Sequence, residues 1–213
     1  MTSNRSTVRR TALAAATTAA ALLLAACGSD GSTAGGHTGH GSTTPSASAP
    51  AAPAATGQHN DADAVFAAGM IPHHRQAVVM AELAGTRAAS PEVKTLAGEI
   101  KKAQDPEIAT MTGWLRAWGE PVPQEGAAME HAGHGMAGMM TPGEMANLEK
   151  SSGAAFDKAF LELMVKHHEG AVEMARTEKA QGRHPEAKKL AEAVITTQSA
   201  EIARMKKLLA PSS

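Results

Sequence analysis

Four stretches of the chain place apolar residues three and four positions apart, which is the spacing of one face of an α-helix. They predict four long helices, over residues 63–88, 91–118, 154–181 and 185–209. A capping box, Thr141-Pro142-Gly143-Glu144, predicts a shorter helix that ends near Ser151. The chain is therefore expected to be all-α.

The predicted helix starts carry residues that favour them. Asn60 or Asp61 can cap the first helix, and Ser90 can cap the second. Pro72 lies inside the first stretch, so this helix either bends at the proline or begins there. A bend is favoured, because the second long stretch has Lys166 at the matching position and is predicted to be continuous.

One pattern occurs twice in the chain. The sequence F-x-x-x-M-x-x-H-H-x-x-A-V-x-M-A begins at Phe66 and again at Phe160, 94 residues later. The similarity extends without a gap to the ends of the second and fourth long helices. Each half, 61–119 and 154–210, is therefore expected to be a helical hairpin, and two hairpins form a four-helix bundle. Residues 120–153 are the long crossover that carries the short extra helix.

The composition agrees with a helical core. Aromatic residues make up 2% of the chain and tyrosine is absent, so the core must be built from Ala, Leu, Met, Val and Ile. Such residues favour packed helices over a sheet. A net charge of −1 argues against nucleic acid as a partner.

The N-terminus has the features of an export signal. Three arginines precede a short apolar run, and Leu24-Ala25-Ala26-Cys27 matches the lipobox of bacterial lipoproteins. Residues 1–26 are predicted to be a lipoprotein signal peptide, and acylated Cys27, carrying palmitate, is expected to anchor the protein on the extracytoplasmic face of the cell membrane. The alternative is an ordinary secretory signal with an unmodified cysteine, and the choice between Sec and twin-arginine export stays open. Residues 27–60, rich in Gly, Ser, Pro and His, are expected to be a disordered linker.

The doubled motif carries the candidate chemistry. On a helical wheel both histidines of each copy fall on or beside the apolar face, so two such helices could bring four imidazoles and up to four thioethers together. These candidate metal ligands are His73, His74, His167, His168, Met70, Met80, Met164 and Met174. The second and fourth helices could add Gln104, Glu107, Gln198 and Glu201.

The donor types indicate copper, as Cu(I) or Cu(II), with zinc as the second choice. Imidazole suits copper and zinc, whereas thioether favours Cu(I). Neither histidine pair belongs to the Glu-x-x-His motif that a di-iron bundle needs, and no cysteine is available for a thiolate zinc site. The alternative is that the histidines pack in the core and bind no metal.

The crossover contains a second group of soft donors. It interleaves histidine and methionine with glycine and alanine, which would allow flexible capture of a metal. Its members are Met129, His131, His134, Met136, Met139 and Met140. The alternative is a glycine-rich loop whose methionines anchor it to the bundle.

These residues resemble a known family. The doubled M-x-x-H-H-x-x-A-V-x-M-A motif, Phe156-Asp157 and Gly138-Met139-Met140-Thr141 are similar to an exported bacterial "domain of unknown function" family that includes the CopM-like copper-binding proteins. The resemblance covers residues 61–210. It implies a ferritin-like four-helix bundle and, for some members, copper binding and copper tolerance outside the cytoplasm. Carried over to this chain, it makes the eight His and Met residues of the doubled motif the candidate copper ligands.

Three functions are consistent with the sequence. The first is a lipoprotein without enzymatic activity that buffers copper or passes it to a copper-handling partner protein. The second is a metal-dependent redox enzyme on a ferritin-like bundle, and the third is a structural lipoprotein with packed histidine pairs. The oligomeric state stays open.

Overall fold

The structure, a computed structural model, describes residues 58–124 and 137–210 and is all-α over these residues, as predicted. The signal peptide, Cys27 and most of the linker lie outside the described residues. No described helix is long and apolar enough to cross a membrane. The helices are α1 (Asp61–Arg87), α2 (Pro91–Trp118), α3 (Pro142–Lys150), α4 (Gly153–Gln181) and α5 (Pro185–Leu209).

The helix ends follow the local sequence. Asn60 and Asp63 form a capping box at the start of α1, and the Ser90 side chain accepts a hydrogen bond from the Val93 amide at the start of α2. Gly119 ends α2 in the left-handed conformation, with φ of 76°. Because α1 continues through Pro72, the alternative of a helix that begins at this proline is wrong.

The four long helices form two hairpins that meet through α1 and α4. α1 packs along α2, α4 packs along α5, and α1 packs along α4, whereas α2 and α5 are not among the closely packed pairs. Small residues on α1 and α4 allow the two backbones to approach closely. The fully buried alanines on these two helices include Ala67, Ala77, Ala84, Ala171 and Ala175.

A pair of aspartates ties the two hairpins together at opposite ends. Asp63 accepts hydrogen bonds from the backbone amides of Arg183 and His184, at 3.0 and 2.9 Å, in the loop before α5. Asp157, its mate 94 residues later, accepts from the amides of Ala89 and Ser90, at 3.1 and 2.9 Å, in the loop before α2. Each half therefore stabilises the turn of the other half.

Residues 137–140, here called the strap, lie across α1 and α4. The Gln76 amide group donates to the Met140 carbonyl at 3.0 Å and accepts from the Met140 amide at 2.7 Å. Gly138, with φ of 82°, approaches the backbone of α4 at Gly170 so closely that neither position has space for a Cβ atom. The strap is thus fixed by a side-chain bridge and by a contact between two glycines.

The two halves differ at the Asp63 end, where α4 adds a buried carboxyl group. Burial and the neighbouring Asp63 raise the pKa of Glu178 to about 8, so Glu178 is protonated near neutrality and can donate to Asp63. Burial of Asp63 opposes its ionisation, but hydrogen bonds from backbone amides and from Glu178 together lower its pKa. The matching residue of the first half is Ala84, which has no carboxyl group.

Changing Glu178 to Gln is expected to stabilise the protein at alkaline pH. Between pH 4.5 and about 8 the folded state of the parent keeps a proton that the unfolded state has lost, so its stability falls as the pH rises. The amide of Gln donates to Asp63 without titrating. The free energy of unfolding, measured with urea, should exceed that of the parent at pH 8 by on the order of 1–3 kcal/mol. Glu173→Gln, on the exposed side of α4, is the control, and equal pH dependence in all three proteins would contradict the pairing.

Changing Gly170 to Ala is expected to displace the strap. A Cβ atom there would overlap the Ala137 carbonyl and lie 2.8 Å from the Gly138 Cα. The expected loss of stability is about 1–3 kcal/mol, with faster hydrogen exchange at the Met140 amide. Gly98→Ala, at an exposed site on α2 with nothing within 4 Å, should stabilise the protein by up to about 1 kcal/mol. Slow Met140 exchange in the Gly170 variant would show that the glycine contact does not hold the strap.

Candidate metal centre

The four histidines of the doubled motif lie together at the interface of α1 and α4, and all are fully buried. The rings of His73 and His167 are in contact, with centroids 3.8 Å apart and planes tilted by 43°. The rings of His167 and His168 are 6.3 Å apart. His73, His74, His167 and His168 are called the histidine centre below. Both pairs lie on the inner faces of their helices, as the helical wheel predicts.

The outer histidine of each pair is held by a carboxylate from the neighbouring helix. His74 Nε2 lies 2.7 Å from Glu107 on α2, and His168 Nε2 lies 2.8 Å from Glu201 on α5. A carboxylate can only accept a hydrogen bond, so Nε2 carries the proton in both rings. In the neutral tautomer Nδ1 then holds the free lone pair. Each Nδ1 is buried and has no hydrogen-bond partner in the protein.

The inner histidines are neutral bases. His73 Nε2 donates to the Ala137 carbonyl of the strap at 3.2 Å, which leaves the lone pair of His73 on a buried, unpartnered Nδ1. Burial and the neighbouring His74 lower the pKa of His73 to about 3. Burial and the adjacent His73 likewise hold the pKa of His167 well below its usual value. Neither nitrogen of His167 has a hydrogen-bond partner in the protein.

These unpartnered nitrogens are the main chemical feature of the centre. A buried polar atom without a partner costs about 1–3 kcal/mol, and such atoms are rare in native proteins. Here every Nδ1 of the centre is in that condition. A metal ion accepts the lone pair of a neutral imidazole, so the donor set fits a metal of the kind that binds imidazole.

The methionines of the motif divide into two groups. Met70 and Met164 are fully buried and each precedes the inner histidine by three residues, a rise of about 4.5 Å along the helix. Met80 and Met174 are farther away, because each follows the outer histidine by six residues, a rise of about 9 Å along the helix. Met80 and Met164 belong to one apolar cluster with Phe156, and Met70 belongs to a second one with Phe66. Met174 is half-buried and lines a cavity of about 370 Å³ at the α1–α4 surface.

The methionines at the end of the crossover anchor it to the bundle. Met139 and Met140 are buried, and Met140 belongs to the same apolar cluster as Met80. This placement agrees with the loop-anchor alternative for these two residues. The remaining donors of the segment lie outside the described residues, and they are Met129, His131, His134 and Met136.

The four histidines of the centre are not arranged as a preformed metal site. Among residues 58–124 and 137–210, no three His, Cys, Asp or Glu side chains are arranged to hold a metal ion together. The closest pair, His73 and His167, would need thioethers or a small ring movement to complete a coordination shell. Imidazole with thioether is a donor set that favours Cu(I).

The groups around the centre are only partly evident from the sequence. The sequence presents Glu107 and Glu201 as possible metal ligands. In the structure each carboxylate contacts an outer histidine, and this contact accounts for its position without a bound metal. The sequence feature that indicates these contacts is a constant separation: Glu107 follows His74 by 33 residues, and Glu201 follows His168 by 33 residues. Gln76, which fixes the strap, was not identified, because the second repeat has Gly170 at the matching position.

A family model described as "Domain of unknown function (DUF305)" matches residues 63–209. No curated protein matches the chain significantly. Several solved structures do match. A candidate secreted DUF305 protein from Streptomyces coelicolor is 36% identical, with a TM-score of 0.63, over 70% of this chain and 91% of that one. A DUF305 fragment from Deinococcus radiodurans is 31% identical, with a TM-score of 0.63, over 70% of this chain and 96% of that one.

The solved structures also include CopM in several metal-bound forms. CopM with Cu(II) is 39% identical, with a TM-score of 0.60, over 69% of this chain and 95% of that one. CopM with Cu(I) is 35% identical, with a TM-score of 0.57, over 68% of this chain and 94% of that one. The expected resemblance is confirmed by these matches and by the family model. The chain belongs to the DUF305 family.

Proposed function

We propose that this protein is an exported copper-binding protein that holds the metal at the histidine centre between α1 and α4. The observation that carries the proposal is the buried contact of His73 with His167, in which both Nδ1 atoms lack a protein partner. Its role would be to buffer copper outside the cytoplasm or to transfer it to a partner protein. No reaction is required for that role.

Copper is proposed over zinc because of the donors around the histidines. Two imidazoles with the buried thioethers of Met70 and Met164 form a soft set that suits Cu(I). Zinc sites in proteins usually have four ligands in a closed shell of His, Cys or carboxylate, and the described residues offer no such group. The CopM structures are of Cu(II)-bound, Cu(I)-bound and Ag-bound forms, and they support a soft metal here.

The residues of the centre would have distinct roles. His73 and His167 would bind copper through Nδ1, and Met70 and Met164 would complete the coordination shell. Glu107 and Glu201 would fix the tautomers of His74 and His168, so that these rings also present Nδ1 to the centre. His74 and His168 would then be ligands when a second ion binds or when the inner rings move. Met80 and Met174 would be outer thioethers.

The proposal includes a location outside the cytoplasm. The N-terminal run that ends at Cys27 supports export followed by acylation, and the match to a candidate secreted protein from Streptomyces coelicolor supports export. A lipid anchor would keep the bundle at the membrane surface, where the histidines of the linker and the His- and Met-containing crossover could collect metal.

Replacing the inner histidines should abolish tight copper binding. His73→Leu/His167→Leu removes two imidazole ligands but keeps the volume and the burial of the side chains. We expect the affinity for Cu(I), measured by anaerobic competition with a chromophoric chelator, to fall by at least about 100-fold while helix content is retained. Met70→Leu/Met164→Leu should weaken binding by about tenfold.

Met111→Leu/Met205→Leu is the matched control, since it changes two other buried methionines that are related by the same repeat. It should bind copper like the parent. Parental affinity in the histidine variant would contradict a copper centre between α1 and α4 and would assign the metal to the His- and Met-containing segment 129–140. Absence of copper binding in the parent would support a purely structural role for the histidines.

A further inference from the structure

α2 and α5 line one side of the bundle. These two helices are not among the pairs in close backbone contact. A narrow cavity of about 10 Å³ lies between them, which is close to the space that one water molecule occupies. Three pairs of its lining residues are related by the repeat, and the cavity with its lining is called the α2–α5 cleft. It consists of Ala103, Gln104, Glu107, Val194, Thr197, Gln198 and Glu201.

Two amides in this cleft lack partners. Gln104 and Gln198 are 2% and 3% exposed, and both line the cavity. Neither the oxygen nor the nitrogen of the Gln104 amide has a hydrogen-bond partner in the protein, and the same holds for the Gln198 oxygen. Unpaired amide oxygens on a buried wall are costly unless a mobile species pairs with them. The cavity between them has room for one small polar species that could pair with these atoms.

The two carboxylates connect the cleft to the histidine centre. Their side chains are 21% and 15% exposed, so Glu107 and Glu201 are reachable from solvent, while His74 and His168 behind them are fully buried. Each histidine uses only Oε2 of its carboxylate. The other oxygen can bind a cation that approaches from outside. Two like charges beside a low-dielectric wall also concentrate cations at the opening.

The opposite side of the centre is closed. There α1 and α4 pack closely through small residues, and the strap covers His73 through the hydrogen bond from the imidazole to the Ala137 carbonyl. Gly138 of the strap is in backbone contact with Gly170 of α4. An ion on that side would have to displace ordered backbone, whereas at the α2–α5 cleft it needs only side-chain motion.

We propose that the α2–α5 cleft is the entry port through which a metal cation reaches the histidine centre. Glu107 and Glu201 bind the ion first, and the amide oxygens of Gln104 and Gln198 hold it as it passes to the imidazoles. This inference rests on the proposed copper function and adds a route to it. A port determines the rate of loading and leaves the affinity of the final site nearly unchanged.

Closing the cleft should slow loading without weakening binding. In Ala103→Leu/Thr197→Leu, two larger apolar side chains fill the opening and no polar group of the centre is altered. Cu(I), supplied anaerobically as its acetonitrile complex, is mixed with the protein in a stopped-flow instrument, and the near-ultraviolet absorbance of the copper–protein complex is followed. We expect the bimolecular rate constant to fall by about tenfold or more, with parental stoichiometry and affinity.

The matched control is Ala109→Leu/Thr196→Leu, which makes the same two changes on α2 and α5 outside the cleft. It should load at the parental rate. A parental rate in the cleft variant would overturn the port. A second test needs no variant, because an anionic port makes the parental rate fall as sodium perchlorate is added. A rate that does not respond to the salt would also overturn it.

Failure of the proposed function would give a different result. If the parent formed no Cu(I) complex, or if His73→Leu/His167→Leu formed the parental complex, the centre itself would be wrong, and the port with it. If only the cleft variant and the salt series gave unchanged rates, the centre would stand and the route alone would be wrong.

Discussion

The structure depends on the contact between His73 and His167 in the dry interface of α1 and α4. Burial lowers the pKa of both imidazoles, whose centroids are 3.8 Å apart, so both rings are neutral and each retains a lone pair. The surrounding structure follows from this constraint. Alanines allow the helices to approach, apolar clusters that contain Phe66 and Phe160 lie on either side along the helices, and polar groups orient the rings from outside.

The internal repeat explains why the two sides of the centre serve different purposes. The duplicated hairpins supply matched pairs, such as the two His–Glu contacts and the aspartates at Asp63 and Asp157. The crossover is not duplicated, and its end forms the strap over one side only. That side is sealed by backbone, while the α2–α5 side keeps its carboxylates and unpaired amides. The result is a bundle with near-twofold chemistry in which, among the described residues, the strap covers one side of the histidine centre.

Much of the fold was predictable from local sequence. Helical periodicity, the capping residues at Asn60, Ser90 and Thr141, and the exact repeat determined the helices within about two residues. Burial of all four histidines followed from the wheel. The tautomers of His74 and His168 could not be predicted. They depend on contacts with Glu107 and Glu201, and these contacts form only when α2 and α5 pack beside α1 and α4. The strap could not be predicted either. The contact of Gly138 with Gly170 joins distant parts of the chain and has no mate in the other half.

The central claim is that metal binds to Nδ1 of the paired histidines in the bundle. It is tested most directly by long-range proton–nitrogen NMR correlation of the imidazole rings, recorded on the metal-free protein and again after anaerobic loading with Cu(I). We expect His74 and His168 to keep a proton on Nε2 in both states, and the Nδ1 resonances of His73 and His167 to shift on loading. Unchanged Nδ1 resonances in a protein that has taken up copper would contradict it.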